Sequence, residues 1–480
     1  MTLLLSFALM LAPAGVASAG DASTGGGAAP CVRPSRAGTQ VQGEVRICPG
    51  RYRIADPSER GVIVAAASGT RIDLTGVVLE SGDSVPARFV GVGVTSKDVD
   101  GVSVLGGTIR GYRVGLRIEG GRGHRIAGAD LSGSRSDALR STAAQPDIAD
   151  RLDALRLAAF TGSGSGLVLV RTTGASVTGV TATSAQNGIG LIEARESYIA
   201  DNEVTGNSGW GISLWRASRN VLVRNRVRHT VRCAPPTVDC NAAAILLREG
   251  SDSNTISEND LTASSTGLRI TGQAPLSRPS IGNLVYRNDA SAAGTAFAAG
   301  HTWSTTFLEN RGDSAAYGFR LDHLNGSAVR ANTVIGSRIA GIVVEHGSDN
   351  TLEANVLLGG RVGILVTAPS RGGSASRGHR IDDNVIGGTE QGIVLQGTNG
   401  SRVRGNLLDG LVDGLVIDNT GHGTEVTGNA FLRTSGWFIE APDLAAGGNY
   451  WATADAAAAS ARVKGRISVL PWRPASAAGY

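Results

Sequence analysis

Gly341-Ile-Val-Val344 and, on the same coil, Thr351-Leu-Glu-Ala-Asn355-Val-Leu357 make up one unit of a repeat that runs through most of this 480-residue chain. The asparagine recurs as Asn202, Asn225, Asn259, Asn288, Asn310, Asn332, Asn355, Asn384, Asn406 and Asn429, at spacings of 23, 34, 29, 22, 22, 23, 29, 22 and 23 residues. Removing a loop of roughly seven or eleven residues from each long interval restores a period of about 22. Such a period marks a solenoid, because each unit buries its apolar face only against its neighbours. Each asparagine sits between two short alternating runs, where its tolerance of left-handed backbone suits a tight turn. Stacked coil on coil, the amides can bond along the axis as a ladder. The glycine motif recurs as Gly188-Ile-Gly-Leu191, Gly211-Ile-Ser-Leu214, Gly267-Leu-Arg-Ile270, Gly318-Phe-Arg-Leu321, Gly363-Ile-Leu-Val366, Gly392-Ile-Val-Leu395 and Gly414-Leu-Val-Ile417, with looser copies from Ala244 and Ala296. Its alternating apolar pair points inward, so the second and fourth positions after the glycine point outward. Two or three short strands per coil with no helical period describe an all-β chain, a parallel β-helix. A propeller blade needs about 40 residues, and a leucine-rich repeat needs its own signature.

These repeats resemble those of right-handed parallel β-helix proteins of the pectate-lyase-like superfamily. They are similar, more closely, to the repeat family shared by carbohydrate-binding proteins and sugar hydrolases. Val45-Arg-Ile-Cys-Pro-Gly-Arg-Tyr52 resembles the entry strand of such proteins, and Gly448-Asn-Tyr-Trp451 and Gly465-Arg-Ile-Ser-Val-Leu-Pro-Trp472 resemble their C-terminal end. The likeness runs from about residue 40 to about residue 475 and implies a fold; a solenoid hosts many activities. The expected division is a signal peptide at 1–19, a leader and N-terminal cap at 20–60, the parallel β-helix at 61–440 and a C-terminal cap at 441–480. About fourteen coils at a strand separation of ~4.8 Å give a rod on the order of 65–70 Å long. With 68 Gly and 4% aromatics, the chain is built from small residues and tight turns, and 41% hydrophobic residues still permit a continuous aliphatic core.

Met1 to Ala12 is apolar and Ala17-Ser-Ala19 is a small-x-small cleavage site, although the apolar run has no Lys or Arg before it. No stretch is long enough to span a bilayer. A secreted or periplasmic chain with no stable membrane insertion is expected. Four cysteines fit an oxidising compartment, with Cys31–Cys48 and Cys233–Cys240 the local pairs among three connectivities. Neither pair has zinc-ligand spacing. Net charge is +4 and nearly all cations are Arg. Without a basic run or aromatic platform, nucleic acid is not an expected partner. A polysaccharide is, bound by a monomer.

The outward columns show where chemistry can sit. The fourth position after the glycine reads Ile192, Trp215, Arg248, Thr271, Gly300, Asp322, Glu345, Thr367, Gln396 and Asp418, and the second includes Arg269 and Arg320. At the fifth, His301, His323 and His346 occupy three successive coils. Stacking places equivalent residues ~5 Å apart. Asp322 and Glu345 would then be close enough to divide into acid and base, and a carboxyl separation of ~5–5.5 Å suits a retaining glycosidase. A lyase or C5-epimerase of an acidic glycan needs cations to neutralise the uronate carboxylate and a group that moves a proton near neutral pH. Arg248, Arg269 and Arg320 supply the first and His323 or His346 the second. Trp215 would offer a sugar a stacking surface, and His301 extends the binding face. The competing readings are an ordinary polar face, where mixed-sign columns pair between coils, and a non-catalytic carbohydrate-binding or periplasmic scaffold.

Two insertions leave the coil period: Asp137 to Phe160, whose Ile148, Leu152 and Leu155 have helical spacing, and the Cys233–Cys240 loop. The first reads as a short amphipathic helix or long loop on the solenoid. Both could wall a groove or simply decorate the rod. The Asp-Pro-His-Asp motif of alginate-epimerase-like enzymes is missing, Asp322-His323 keeping only its centre. Asp382-Asp383 and Gly421-His422-Gly423 echo polygalacturonase-like motifs but lie forty residues apart and read as coincidental. The chain also resembles the periplasmic accessory proteins of nitrous-oxide-reductase maturation. Against a copper role stand only two Met (Met1 and Met10) and no expected free Cys. No metal or other cofactor is expected. Calcium is the one ion that acidic turns admit, and the chain has no clustered Asp run.

Overall fold

The computed structural model describes residues 31–471, apart from 143–144, 154–155, 234–238, 273–277, 369–375, 419–421 and 454. The expected signal peptide and most of the leader lie outside the described residues, as do Leu155, Gly421 and Trp472. The chain is an all-β solenoid of parallel strands, a β-helix. The Gly-apolar-x-apolar runs form a sheet of 21 strands, and the short runs that precede the asparagines, such as Val221–Val223 and Thr351–Glu353, form a second of 15. Neighbours in each sheet come from successive coils and pair in parallel, as Trp210–Trp215 does with Ala243–Arg248 and Val221–Val223 with Thr255–Ser257. Between the sheets runs one continuous core from Val41 to Val469. Each fully buried Ile, Leu or Val in it stabilises by about 1.5–3 kcal/mol relative to exposure.

The motif glycine is required by the spacing of the coils. A Cβ on Gly211 would lie 2.1 Å from Val227 Cγ1 and 2.6 Å from the Ala244 carbonyl oxygen, and one on Gly318 would lie 2.6 Å from the Gly341 carbonyl oxygen. The backbones therefore stack closely enough to keep the strands in register.

The asparagines form the expected ladder. From Asn202 to Asn429 each Nδ2 donates to Oδ1 of the next coil's asparagine at 2.8–3.0 Å, and the ladder extends to Asn449. The left-handed residue is not the asparagine, as the sequence suggested, but the one before it: Arg224, Glu258, Arg287, Glu309, Ala331, Ala354 and Asp383 have φ between 52° and 56°. The asparagine turns inward so that its amide can reach the neighbouring coil, and the residue ahead of it takes the corner. A second, shorter ladder joins Asn220, Asn254 and Asn283 at 3.1 Å per step.

Both disulfides, Cys31–Cys48 and Cys233–Cys240, are formed. The 137–160 insertion is not an amphipathic helix. Among its described residues are one 3-10 turn, Ile148–Asp150, and one α-helical stretch, Leu157–Thr161, and Ile148 is 61% exposed. Its backbone is held by polar bonds that compete with a helix: Asp150 accepts from the N–H groups of Arg140 and Ser141, and Asp147 caps Ala149. Leu152 and Phe160 are its buried anchors. Among the described residues no helix is long and apolar enough to cross a membrane.

Candidate functional site

The register reproduces the columns expected from the repeat. Arg248 pairs with Thr271, Gly300 with Asp322, and Asp322 with Glu345, which in turn pairs with Thr367. One position further on, the three imidazoles stack: His301 on His323 at 4.4 Å between centroids and His323 on His346 at 4.9 Å. All three have φ near 50°. Glu193, Arg216 and Glu249 share that conformation at the same corner of earlier coils, so it belongs to the coil and does not mark function. Asp322 joins the column to its neighbours. Its Oδ1 lies 2.7 Å from His323 Nδ1 and 3.3 Å from His346 Nδ1. Burial, and then the adjacent His323, hold His301 below the ordinary imidazole range despite Asp322. That environment favours the neutral imidazole, the form that can accept a proton.

Arg248, Arg269, His301 and Asp322 come together in the wall of one cavity of about 770 Å³. Its other wall is formed by Arg151, Leu152 and Asp153 from the long insertion and by Asp239 and Asn241 beside the disulfide. These two off-period segments are fastened to each other. The Leu152 N–H donates to the Cys240 carbonyl at 3.0 Å, Asn241 Nδ2 donates to the Leu152 carbonyl at 2.8 Å, and Arg232 Nε donates to the Asp150 carbonyl. Arg151, Asp153, Asp239 and Asn241 had no place in the columns; their only sequence signal was that the insertions break the period.

The cavity is electrostatically uneven. Arg248 is 1% exposed, and a Glu249 carboxylate oxygen lies 3.7 Å from its Nη2. Burial depresses its pKa, opposed by Glu249 and Asp153. Arg269 Nη2 donates to Asp239 at 2.8 Å and to Thr266 at 2.9 Å. The Nε atoms of Arg248 and Arg269 have no hydrogen-bond partner among the described residues. Burial pushes the Asp239 carboxyl up, and Arg269, the Asn241 N–H and Arg151 bring it below its ordinary value.

Other expected site residues lie elsewhere. Trp215, expected as a stacking surface, is 4% exposed and covered by Phe160 at 4.8 Å between ring centroids. The insertion folds back onto it, so it serves as the floor of a small apolar core and leaves no face for a sugar. Arg320 is exposed, lies over the Tyr317 ring at 5.4 Å and does not line the cavity. Glu345, His323 and His346 do not line it either; they sit on the same coil as Asp322 or on the next one. Asp382 takes part in ion pairs with Arg380 and Arg402, which gives it a structural role.

A sequence profile described as "Periplasmic copper-binding protein (NosD)" matches residues 80–306 and 276–460. The chain belongs to the NosD family. No curated protein matches it. Among solved structures, the Dettilon tailspike protein (gp208) is similar at 14% identity and a TM-score of 0.44, covering 73% of this chain, which spans 61% of the tailspike. The A-module of the Azotobacter vinelandii mannuronan C-5 epimerase AlgE6 is 12% identical with a TM-score of 0.41, covering 80% of this chain and 90% of that one. PfbA, a surface adhesin of Streptococcus pneumoniae, is 13% identical with a TM-score of 0.39, covering 82% and 84%.

Proposed function

We propose that this NosD-family chain is an extracytoplasmic β-helix protein that acts on an acidic polysaccharide held across its middle coils. The observation that carries this reading is the cavity in which Arg151, Arg248 and Arg269 share walls with His301 and Asp322. Guanidiniums that neutralise a uronate carboxylate lower the barrier to removing the α-proton, and a neutral imidazole beside them can take it. In that chemistry, lyase or C5-epimerase, Arg248 and Arg269 clamp the carboxylate. His301, His323 and His346 move the proton, and Asp322 orients two of those rings. A glycoside hydrolase would use Asp322 and Glu345, adjacent in register, as its carboxyl pair. The signal segment, the two disulfides and the family's description as periplasmic support the location.

The test is incubation with a panel of acidic and neutral polysaccharides, followed by unsaturated-uronate absorbance, reducing ends and NMR together. New absorbance identifies a lyase, reducing ends alone a hydrolase, and altered stereochemistry alone an epimerase. Binding without any change identifies a scaffold, and neither binding nor change refutes the proposal.

A second reading is favoured by donor geometry. One ligand atom each from Asp322, His323 and His346 lies within 4.8 Å of the others, and the matched family is described as copper-binding. An imidazole–carboxylate set fits Cu(II). Soft sulfur donors for Cu(I) are absent from it, since all four cysteines are paired and both methionines precede residue 11. Bound copper would supply Lewis-acid or redox chemistry, and the three side chains would hold it. Equilibrium dialysis against Cu(II), with electron paramagnetic resonance for nitrogen ligation, tests this. Binding that survives His346→Ala combined with Asp322→Ala removes the assignment.

A further inference from the structure

The outward face of the long-strand sheet changes character at one coil. On the N-terminal side, Val114, Val168, Ile192, Trp210, Trp215 and Leu246 form an apolar cluster separate from the coil interior, sealed by Leu152 and Phe160. Phe160 stacks on Trp210 at 4.3 Å, and Trp210 Nε1 donates to the Asn241 carbonyl at 2.8 Å, so the seal is tied to the disulfide loop. The next outward residue after Leu246 on the same strand is Arg248. Downstream the same column stays partly or fully exposed through Asp322, Glu345, Thr367 and Gln396. The groove thus has one closed end, and Arg248 lies at it.

We infer that the cavity is a blind-ended subsite that takes the terminal, carboxylate-bearing residue of an acidic oligosaccharide, with Arg248 at the closed end and Arg269 flanking it. The inference rests on the glycan reading above and narrows it to chain ends. A chain passing through would have to displace Leu152 and Phe160 from Trp210 and Trp215. A terminal sugar needs no such movement, and 770 Å³ lies within the ~300–1,000 Å³ of pockets that enclose compact ligands. Both guanidiniums line the cavity, and each keeps a buried Nε–H without a partner among the described residues. A buried guanidinium with an unused donor is costly; Arg269 already spends Nη2 on Asp239 and Thr266, so the paired fork that suits a carboxylate is left to Arg248.

The experiment is calorimetric titration of the purified full chain with oligogalacturonates and oligomannuronates of one to six residues, and with the corresponding long polymers. Inorganic phosphate and sulfate form separate arms. Affinity per molecule is expected to level off after the first few residues, and stoichiometry on polymer to follow the number of chain ends, rising when the same mass is partly cleaved. Arg248→Met is expected to weaken oligomer binding about ten- to hundredfold, the range for a hydrogen bond to a charged group. Arg269→Gln gives the same readout should the first variant fail to fold. Several protein molecules bound per long chain, unchanged on cleavage, would overturn end recognition while leaving the glycan reading intact. Uptake of phosphate or sulfate with no uronate binding would overturn both, as would silence in every arm.

Discussion

Replacing Asn332 with alanine tests what holds the coils together. Asn332 is fully buried. Its Nδ2 donates to the Phe307 carbonyl and to Asn355 Oδ1, each at 3.0 Å, and its Oδ1 accepts from the backbone N–H of Asn310 at 2.8 Å and from Asn310 Nδ2 at 3.0 Å. Alanine orphans two buried donors of Asn310 and takes a donor from each of two acceptors. At about 1–3 kcal/mol per buried donor left unsatisfied, the expected loss is about 2–6 kcal/mol. Since the left-handed residue is Ala331 (φ 53°), the substitution does not touch the strained position. Urea unfolding followed by far-ultraviolet circular dichroism reads the loss, with Gln396→Ala on the exposed face as a control expected within about 0.5 kcal/mol of wild type. Hydrogen exchange should locate the damage in the adjoining coils, because a solenoid couples nearest neighbours. An Asn332→Ala midpoint equal to that of the control would refute a net stabilising role for the ladder.

Other expectations follow from single contacts. His379 is buried, with Nε2 2.7 Å from Ser376 Oγ, and burial lowers its pKa from 6.5 to about 4. Above pH 6.5 folded and unfolded chains both hold it neutral; as pH falls toward 4 only the unfolded chain gains a proton, so stability drops by about 3 kcal/mol. Denaturation midpoints across this window should fall less steeply in His379→Gln. Phe160→Ala removes the ring that stacks on Trp210 and leans against Trp215, a loss of about 3–5 kcal/mol for a buried aromatic. It should expose both indoles, read as a red shift in tryptophan emission and as protease cleavage within 137–160. Where the activity found is hydrolytic, Glu345→Ala should abolish turnover while leaving the melting temperature nearly unchanged; undiminished hydrolysis removes Glu345 from the site.

The repeat made the register legible. With a period of two within strands and about 22 between coils, the partners of Asp322 and Glu345 follow from counting. Each ladder asparagine is identified by the same count, whereas the corner residue beside it varies among Arg, Glu, Ala and Asp and leaves no signature. Asn220, Asn254 and Asn283 were overlooked because few copies remain at that position. The fate of Trp215 and the burial of Arg248 were beyond reach for a different reason. Both depend on a segment that folds back from far upstream, and its contacts obey no period. The insertions were visible as breaks in the repeat; which residues they would cover was not.

The amide ladder also has a direction. From Asn202 to Asn429 each Nδ2 sends one N–H to the following coil's asparagine and the other to a carbonyl of the preceding coil, and every Oδ1 up to Asn449 faces the preceding coil. The acceptor end is closed by the Val180 N–H at 2.9 Å, and the donor end by the Ala446 carbonyl at 2.7 Å. Hydrogen-bonded amides aligned this way polarise one another, so an uncharged thread through the interior carries a net dipole along the rod. The ladder's own contribution gives the interior unlike ends: two such ladders placed in line would meet with opposite poles, and two placed side by side would attract only when antiparallel.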